Sequence, residues 1–309
     1  MQTHRAVLVD EVIEALKVRA DGVYVDATCG PGGHAVEILR RLGPHGRLLA
    51  FDRDAQAVAF AQSRFAADSR VTVRKAPFST LGTCINSEGL DGQVSGILFD
   101  LGISSVQLDD HQRGFSFQQP GPLDMRMDRE HGMSAAEWLN KASEREIALV
   151  LKELGEERFA RRIARTIVRE RKQNPIATTV QLAQLVSQAV PTRERNKHPA
   201  TRTFLALRLI VNTELDELRS ALPQALQALA PGGRLVVVSF HSLEDRVVKQ
   251  FMRGQVREKL ALVDGTTPAS PALRSIGKIV RPSATEIRRN PRARSAVMRV
   301  AERTVTGCA

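Results

Sequence analysis

The chain has 309 residues with 42% hydrophobic content, enough for one large domain or two around a substantial core. No apolar stretch reaches membrane-spanning length, and the opening MQTHRAVLVDEV has no signal-peptide pattern; three scattered cysteines, Cys29, Cys84 and Cys308, exclude a disulfide framework and a zinc site, so a cytoplasmic protein with no membrane contact and no metal is expected. The net charge of +11 is concentrated in residues 152–208 (+8) and 274–303 (+7), leaving −4 elsewhere, which points to a polyanionic partner such as nucleic acid, with solvated helix faces as the alternative.

Val9, Val12, Ile13 and Leu16 recur at helical spacing, with Asp10 and Glu11 in the first turn. Residues 23–42, VYVDATCGPGGHAVEILRRL, organise the rest of the chain. Val23, Tyr24 and Val25 read as a buried strand ended by Asp26, and Gly30, Pro31, Gly32 and Gly33 as a turn. From His34 on, Ala35, Ile38, Leu39 and Leu42 return to helical spacing. Strand, glycine turn and helix in that order predict a cradle for a nucleotide-type cofactor. Gly30-x-Gly32-x-x-Ala35 formally matches the dinucleotide fingerprint; a tight turn with no ligand is the other reading. Asp26 would repel a pyrophosphate, whereas S-adenosylmethionine brings a sulfonium and an ammonium that an acid favours. No Gly-Lys-Ser/Thr follows, which excludes a P-loop.

Residues 47–51 predict a second strand, and Asp52 at its end lies 20 residues beyond Gly32, a spacing that suits hydrogen bonds from ribose hydroxyls. A cap for a helix over 54–65 is the alternative, a role that Asp54 fits better. Residues 71–75 predict a third strand, followed by Phe78, which either stacks on adenine or joins the core. Residues 94–99 predict a fourth strand, ending in Asp100, a functional-site candidate. Residues 106–133 read as a long functional loop. A helix over 134–142 holds the only tryptophan, Trp138, and Ser143-x-x-Glu146 is a capping box for a helix ending at Gly155. A basic helix is expected over 156–172, with Phe159, Ile163 and Ile167 on its apolar face. Asn174-Pro175 ends it, and Thr178 or Thr179 caps the next, to Val190. These helices interrupt the β/α alternation, so residues 106–216 read as an inserted domain between 1–105 and 217–309. Leu207, Ile210, Val211, Leu215 and Leu218 predict one long helix that Pro223 kinks or restarts. Pro231-Gly232-Gly233 ends the next helix, and 234–239 is a strand. Ser242 is an expected N-cap, and His241 either contacts substrate or is structural. Residues 253–273 look irregular, 283–294 carry the second basic block, and 295–301 resemble a final strand.

Seven motifs resemble the RsmH (MraW) family nearly end to end. They are CGPGGH at 29–34, DRD at 52–54, DLGISSVQLDD at 100–110, RGFSF with GPLDMRMD at 113–128, HPATRTF at 198–204, SFHSLEDRVVK at 239–249 and RRNPRARSA at 288–296. The resemblance implies an S-adenosylmethionine-dependent methyltransferase acting on N4 of a cytidine in 16S ribosomal RNA, in the decoding region of the small ribosomal subunit. It implies an α/β fold, a Rossmann-like methyltransferase sheet with an inserted all-helical substrate domain. It also implies cofactor contacts from Gly32, Gly33, His34, Asp52, Phe78, Asp100 and Gln107. Val106 and Pro77 stand where the family usually has proline and asparagine. A homodimer is among the assemblies allowed.

Cytosine N4 is a poor nucleophile, its lone pair being delocalised into the ring. Positioning should therefore supply most of the rate. Asp100 is the catalytic candidate, as acceptor for the amine. Asp100-Leu101-Gly102-Ile103 offers no aromatic clamp there, which leaves Phe115 or Phe117 as the stacking platform. An NAD-dependent oxidoreductase and a non-catalytic RNA-binding assembly factor are the rival readings.

Overall fold

The computed structural model describes residues 6–192, 198–254 and 273–304. The chain divides into two compact units, Met1–Gly102 with Leu215–Ala309, and Ile103–Glu214.

The first unit is built on a seven-stranded sheet. Its strands are β1 (Val23–Asp26), β2 (Arg47–Asp52), β3 (Val71–Lys75), β4 (Val94–Asp100), β5 (Leu229–Ser239), β6 (Leu273–Ser275) and β7 (Val297–Arg303), in the order β3-β2-β1-β4-β5-β7-β6. Strands β1 to β5 are parallel, and β7 runs antiparallel between β5 and β6. This is the expected Rossmann-like methyltransferase sheet. The chain reverses direction of travel between β1 and β4, the crevice where open α/β sheets bind ligands. Side chains alternate between two cores. Val25, Leu49, Phe51, Ile97, Phe99, Leu235 and Val237 join one cluster; Tyr24, Leu48, Ala50, Leu98, Val236 and Val238 join the other. Burial on both sides is why these strands read as unbroken apolar runs.

The first segment of this unit carries the helices α1 (Val9–Leu16), α2 (Gly33–Leu39), α3 (Ala55–Phe65) and α4 (Leu81–Ser87). Val9, Val12, Ile13 and Leu16 are the buried face of α1, as their spacing predicts.

The second unit is helical: α5 (Ser105–Asp109), α6 (Ala135–Lys141), α7 (Glu144–Glu153), α8 (Ala160–Glu170), α9 (Thr179–Ala189) and α10 (Thr201–Val211). Ile147, Leu151, Ile163, Ile167, Leu182, Val186 and Leu207 anchor its own core. Ser134 and Ser143 close capping boxes with Glu137 and Glu146, and Thr178 caps α9 through the Gln181 N–H.

Several expectations are corrected. Residues 106–133 are a long loop from Gly114 on, as read, but they begin with regular structure and are held in place. They hold α5 and a 3-10 turn at His111–Arg113, and Pro122 bridges to Thr178. Arg113 is buried and donates to the carbonyls of Arg126 (3.1 Å) and Met127 (2.9 Å). Asn212 accepts from the Met127 N–H and donates to the Met125 carbonyl, both at 2.7 Å. Partners this far apart in sequence leave no periodic signal. The basic helix starts at Ala160, not at 156, because Glu156 turns through φ 48°.

The single long helix is two. α10 ends at Val211, Thr213 takes φ 50°, and α11 (Glu214–Ala228) begins; it runs on through Pro223. β5 starts five residues before the expected 234. Val94 pairs with Leu229 and Gly96 with Arg234, so the intervening residues form a bulge rather than a helix end. Gly232, at φ 78°, supplies the reversal, and Pro231 has no N–H to leave unpaired.

After β5 come α12 (Ser242–Met252) and α13 (Ala284–Arg289), then a 3-10 turn over Pro291–Ser295, so the last strand starts at Val297. The expectation for 253–273 falls almost wholly outside the described residues.

Candidate active site

Three acids meet at the carboxyl ends of adjacent strands, Asp26 on β1, Asp52 on β2 and Asp100 on β4. The glycine turn faces them. Gly30 and Gly32 sit at φ 51° and 79°, conformations that L side chains rarely adopt. A Cβ on Gly32 would lie 2.8 Å from the Phe65 ring, and one on Gly33 2.8 Å from the Ala6 Cβ. The turn is thus closely packed against both α3 and the N-terminal segment.

Asp52 Oδ2 accepts from the Gly30 N–H at 2.8 Å, and its Oδ1 from the Asp54 N–H at 2.9 Å. The acid thereby fixes the glycine turn to the end of β2. Burial outweighs these bonds and lifts its carboxyl to about 6. Asp54, not Asp52, caps α3, accepting from the Gln56 N–H at 2.9 Å. Asp26 is 1% exposed and accepts from the Thr28 N–H at 3.2 Å. Burial, helped by the charge of Asp52, lifts its carboxyl to about 7.

Asp100 donates its backbone N–H to Thr28 Oγ1 at 2.6 Å. Its Oδ2 lies 3.6 Å from His34 Nδ1, and its Oδ1 is buried with no hydrogen-bond partner. Burial, with Asp26 and Glu244 nearby, holds this carboxyl well above the usual range. His34 is buried, and its Nε2 lies 3.0 Å from the Val7 carbonyl. Burial lowers its imidazole to about 4. Phe78 opens the 3-10 turn after β3, half-buried, its ring edge-on to Phe99 at 5.8 Å.

Gln107 belongs to the helical unit. It is buried in α5, where its Oε1 accepts from the Ser104 N–H at 2.9 Å in a reciprocal capping box. Val106 is 59% exposed, so this departure from the family pattern leaves the cap intact.

Phe115 is not a platform for a base. It is buried in the helical core with the Arg113 guanidinium 5.8 Å from its ring. Phe117 is half-buried, its ring 4.6 Å from His198 and 4.8 Å from Phe204. It lines a groove of about 350 Å³ with Gln184, Ser187, Gln188 and His198.

His241, not Ser242, is the N-cap of α12; its Nδ1 accepts from the Glu244 N–H at 3.4 Å, and Glu244 Oε2 accepts from the His241 N–H at 3.3 Å. The His-x-x-Glu spacing of a capping box was the signal for this, with an imidazole in place of the hydroxyl. Sequence reasoning also missed Thr28, which ties Asp26 to Asp100, and the Val7 carbonyl that holds His34.

The donor set suits S-adenosylmethionine. Three acids line the ligand edge, Asp26 buried and Asp52 and Asp100 partly so, and Asp100 Oδ1 is a buried acceptor without a partner. A family model described as the MraW methylase family matches residues 1–304. The chain belongs to this family. Three relatives are named ribosomal RNA small subunit methyltransferase H. The one from Thioalkalivibrio sulfidiphilus is 55% identical over 304 residues, 97% of each chain. The one from Alteromonas mediterranea is 50% identical and covers 97% of each chain. The one from Coxiella burnetii is also 50% identical, over 98% of this chain and 99% of its own. This MraW methylase family member is therefore an S-adenosylmethionine-dependent methyltransferase, and the oxidoreductase and non-catalytic readings fall away. Among the described residues, no helix is long and apolar enough to cross a membrane.

Proposed function

We propose that the protein methylates N4 of a cytidine in 16S ribosomal RNA, in the decoding region of the small ribosomal subunit, and does so in the cytoplasm. The reading rests on the names of the relatives and on one observation, the buried unpartnered Oδ1 of Asp100 at the ligand edge of β4. When bound, S-adenosylmethionine supplies an electrophilic methyl group on sulfur.

The residues of the chain divide the work. Gly32 and Gly33 give close backbone approach, Asp52 accepts from ribose and Phe78 flanks adenine. Asp26 adds negative charge beneath the cation. Asp100 Oδ1 accepts a hydrogen bond from the exocyclic amine and so orients its lone pair. As the amine becomes tetrahedral and positive, that bond strengthens, which lowers the barrier. The proton then leaves readily to water, because the nitrogen carrying it is cationic. A strong base is not needed.

The helical unit is the RNA-recognition part. Arg161, Arg162, Arg165 and Arg169 are exposed on α8, whose other face buries Ile163 and Ile167. Arg288 and Arg289 at the end of α13, with Arg292 and Arg294 just beyond, form a second exposed set. Phe117 and His198 offer an aromatic surface for an unstacked base. A homodimer is one assembly this reading allows, and sedimentation tests for it.

The test is transfer of tritium from labelled S-adenosylmethionine to naked 16S RNA and to isolated small subunits, followed by nucleoside analysis. Label in N4-methylcytidine from either substrate supports the reading; label only in another nucleoside, or none, refutes it.

A further inference from the structure

We propose that His34 is a positioning residue for methyl transfer, its Nδ1 fixing the Asp100 carboxyl so that Oδ1 faces the acceptor amine. The proposal rests on the reading that Asp100 receives that amine.

The geometry begins at the N-terminal segment. A carbonyl oxygen only accepts, so the 3.0 Å contact between His34 Nε2 and the Val7 carbonyl places a proton on Nε2. That bond fixes the plane of the ring and turns Nδ1 toward Asp100. The anchor is itself held. The next N–H, that of Leu8, donates to Glu286 Oε1 at 2.8 Å, and Ala6 packs against Gly33. His34 is therefore a rigid strut between the N-terminal segment and the end of β4.

Asp100 has need of such a strut. Among the described residues His34 is the one basic side chain within 4.0 Å of its carboxyl, and the other groups that act on that carboxyl, Asp26 and Glu244, are acids. Two acids and a buried site favour keeping a proton on the pair rather than losing it. One proton between Oδ2 and Nδ1 leaves Oδ1 as a pure acceptor, the arrangement an N–H donor requires. At 3.6 Å the two side chains touch without a hydrogen bond, and contacts of this kind tighten once substrate is in place.

Two substitutions separate this role from simple tethering. His34→Asn puts an amide near the Nδ1 position and abandons Val7. His34→Gln puts one near the Nε2 position, keeping Val7 and abandoning Asp100. Both variants and the parent are assayed for kcat, for cofactor dissociation constant by calorimetry and for folding by circular dichroism. The expected result is that, at saturating S-adenosylmethionine, His34→Gln lowers kcat by roughly 10-fold or more, further than His34→Asn does. In an Asp100→Ala background, His34→Gln then costs nothing further.

A larger kcat loss in His34→Asn than in His34→Gln overturns the proposal and leaves a tether. If Asp100→Ala alone leaves kcat intact, the reading of Asp100 fails and this proposal falls with it; if Asp100→Ala lowers kcat but His34→Gln does not, only this proposal fails. Should neither histidine variant fold, imidazole 15N shifts in the parent protein with cofactor and RNA decide the matter. A hydrogen-bonded Nδ1 supports the strut, and a free Nδ1 refutes it.

Discussion

Asp26 gives the sharpest test of the acidic cradle, because its effects on stability and on cofactor affinity have opposite signs. The side chain is 1% exposed, and its carboxyl is lifted from the ordinary 3.8 to about 7. Between those values the folded protein holds a proton that the unfolded chain has already released. The contribution of Asp26 to stability is thus greatest below pH 3.8 and declines as pH rises toward 7, where the loss levels off. At about 1.4 kcal/mol per pKa unit, the deficit above pH 7 comes to about 4 kcal/mol. Asp26→Asn keeps an oxygen for the Thr28 N–H but cannot ionise. The variant should match the parent near pH 4 and exceed its unfolding free energy by up to about 4 kcal/mol at pH 8. Cofactor affinity should fall, since a negative charge near the sulfonium and ammonium is gone. Chemical denaturation across the pH series and titration calorimetry with S-adenosylmethionine measure the two. Parallel pH profiles for variant and parent, or tighter cofactor binding by the variant, would refute the reasoning.

Other outcomes rest on the same geometry. Asp52→Ala removes the acceptor for the Gly30 and Asp54 N–H groups and, on the proposed reading, for ribose, and should weaken cofactor binding by ~1–3 kcal/mol. An unchanged dissociation constant in a folded variant would leave Asp52 a purely structural brace. Gly33→Ala drives a methyl into the Ala6 Cβ and should cost ~1–3 kcal/mol in urea denaturation; a stability equal to the parent's would mean that the N-terminal segment yields freely. Replacing Arg162, Arg165 and Arg169, or Arg288, Arg289 and Arg292, with Ala should shallow the log-affinity versus log-salt slope for RNA by roughly 0.7–0.9 for each phosphate no longer neutralised. Filter retention across a salt series reads this, and a parent-like slope for both triple variants would reduce the arginines to solvated surface.

What was legible in the sequence was what local pattern encodes. Continuous apolar runs located the strands, since burial on both faces leaves no alternation to obscure them. Serine capping boxes fixed the starts of α6 and α7, because both partners lie within four residues. The glycine turn and the acids at the ends of β1, β2 and β4 fall where spacing put them. Illegible were features whose partners are distant. The order of residues 106–133 depends on Arg113 and on Asn212, which reaches back more than eighty residues to Met125 and Met127. The break at Thr213 hides inside a helical period, because a single residue at φ 50° shifts direction without altering hydrophobic content. Phe115 and Phe117 look alike in sequence, and only packing separates the buried ring from the accessible one. The contact of His34 with Asp100 joins the first turn of α2 to the end of β4 and has no signature in spacing at all.

The pairing of β4 with β5 has a consequence for biosynthesis. These strands are neighbours in the sheet, yet the whole of Ile103–Glu214 is made between them. While the ribosome translates those residues, the free edge of β4 exposes Val94 to Phe99, a fully buried apolar run in the finished protein. Such an edge is a template for aggregation until its neighbour arrives. Closing a loop of more than a hundred residues costs little extra free energy, since the penalty grows only with the logarithm of length, but it slows the search. The Leu8 N–H waits longer still, for Glu286, 278 residues downstream. The nascent chain thus carries three paired strands and one half-satisfied strand throughout the synthesis of Ile103–Glu214, and the N-terminal support of the cradle is completed only once Glu286 is made.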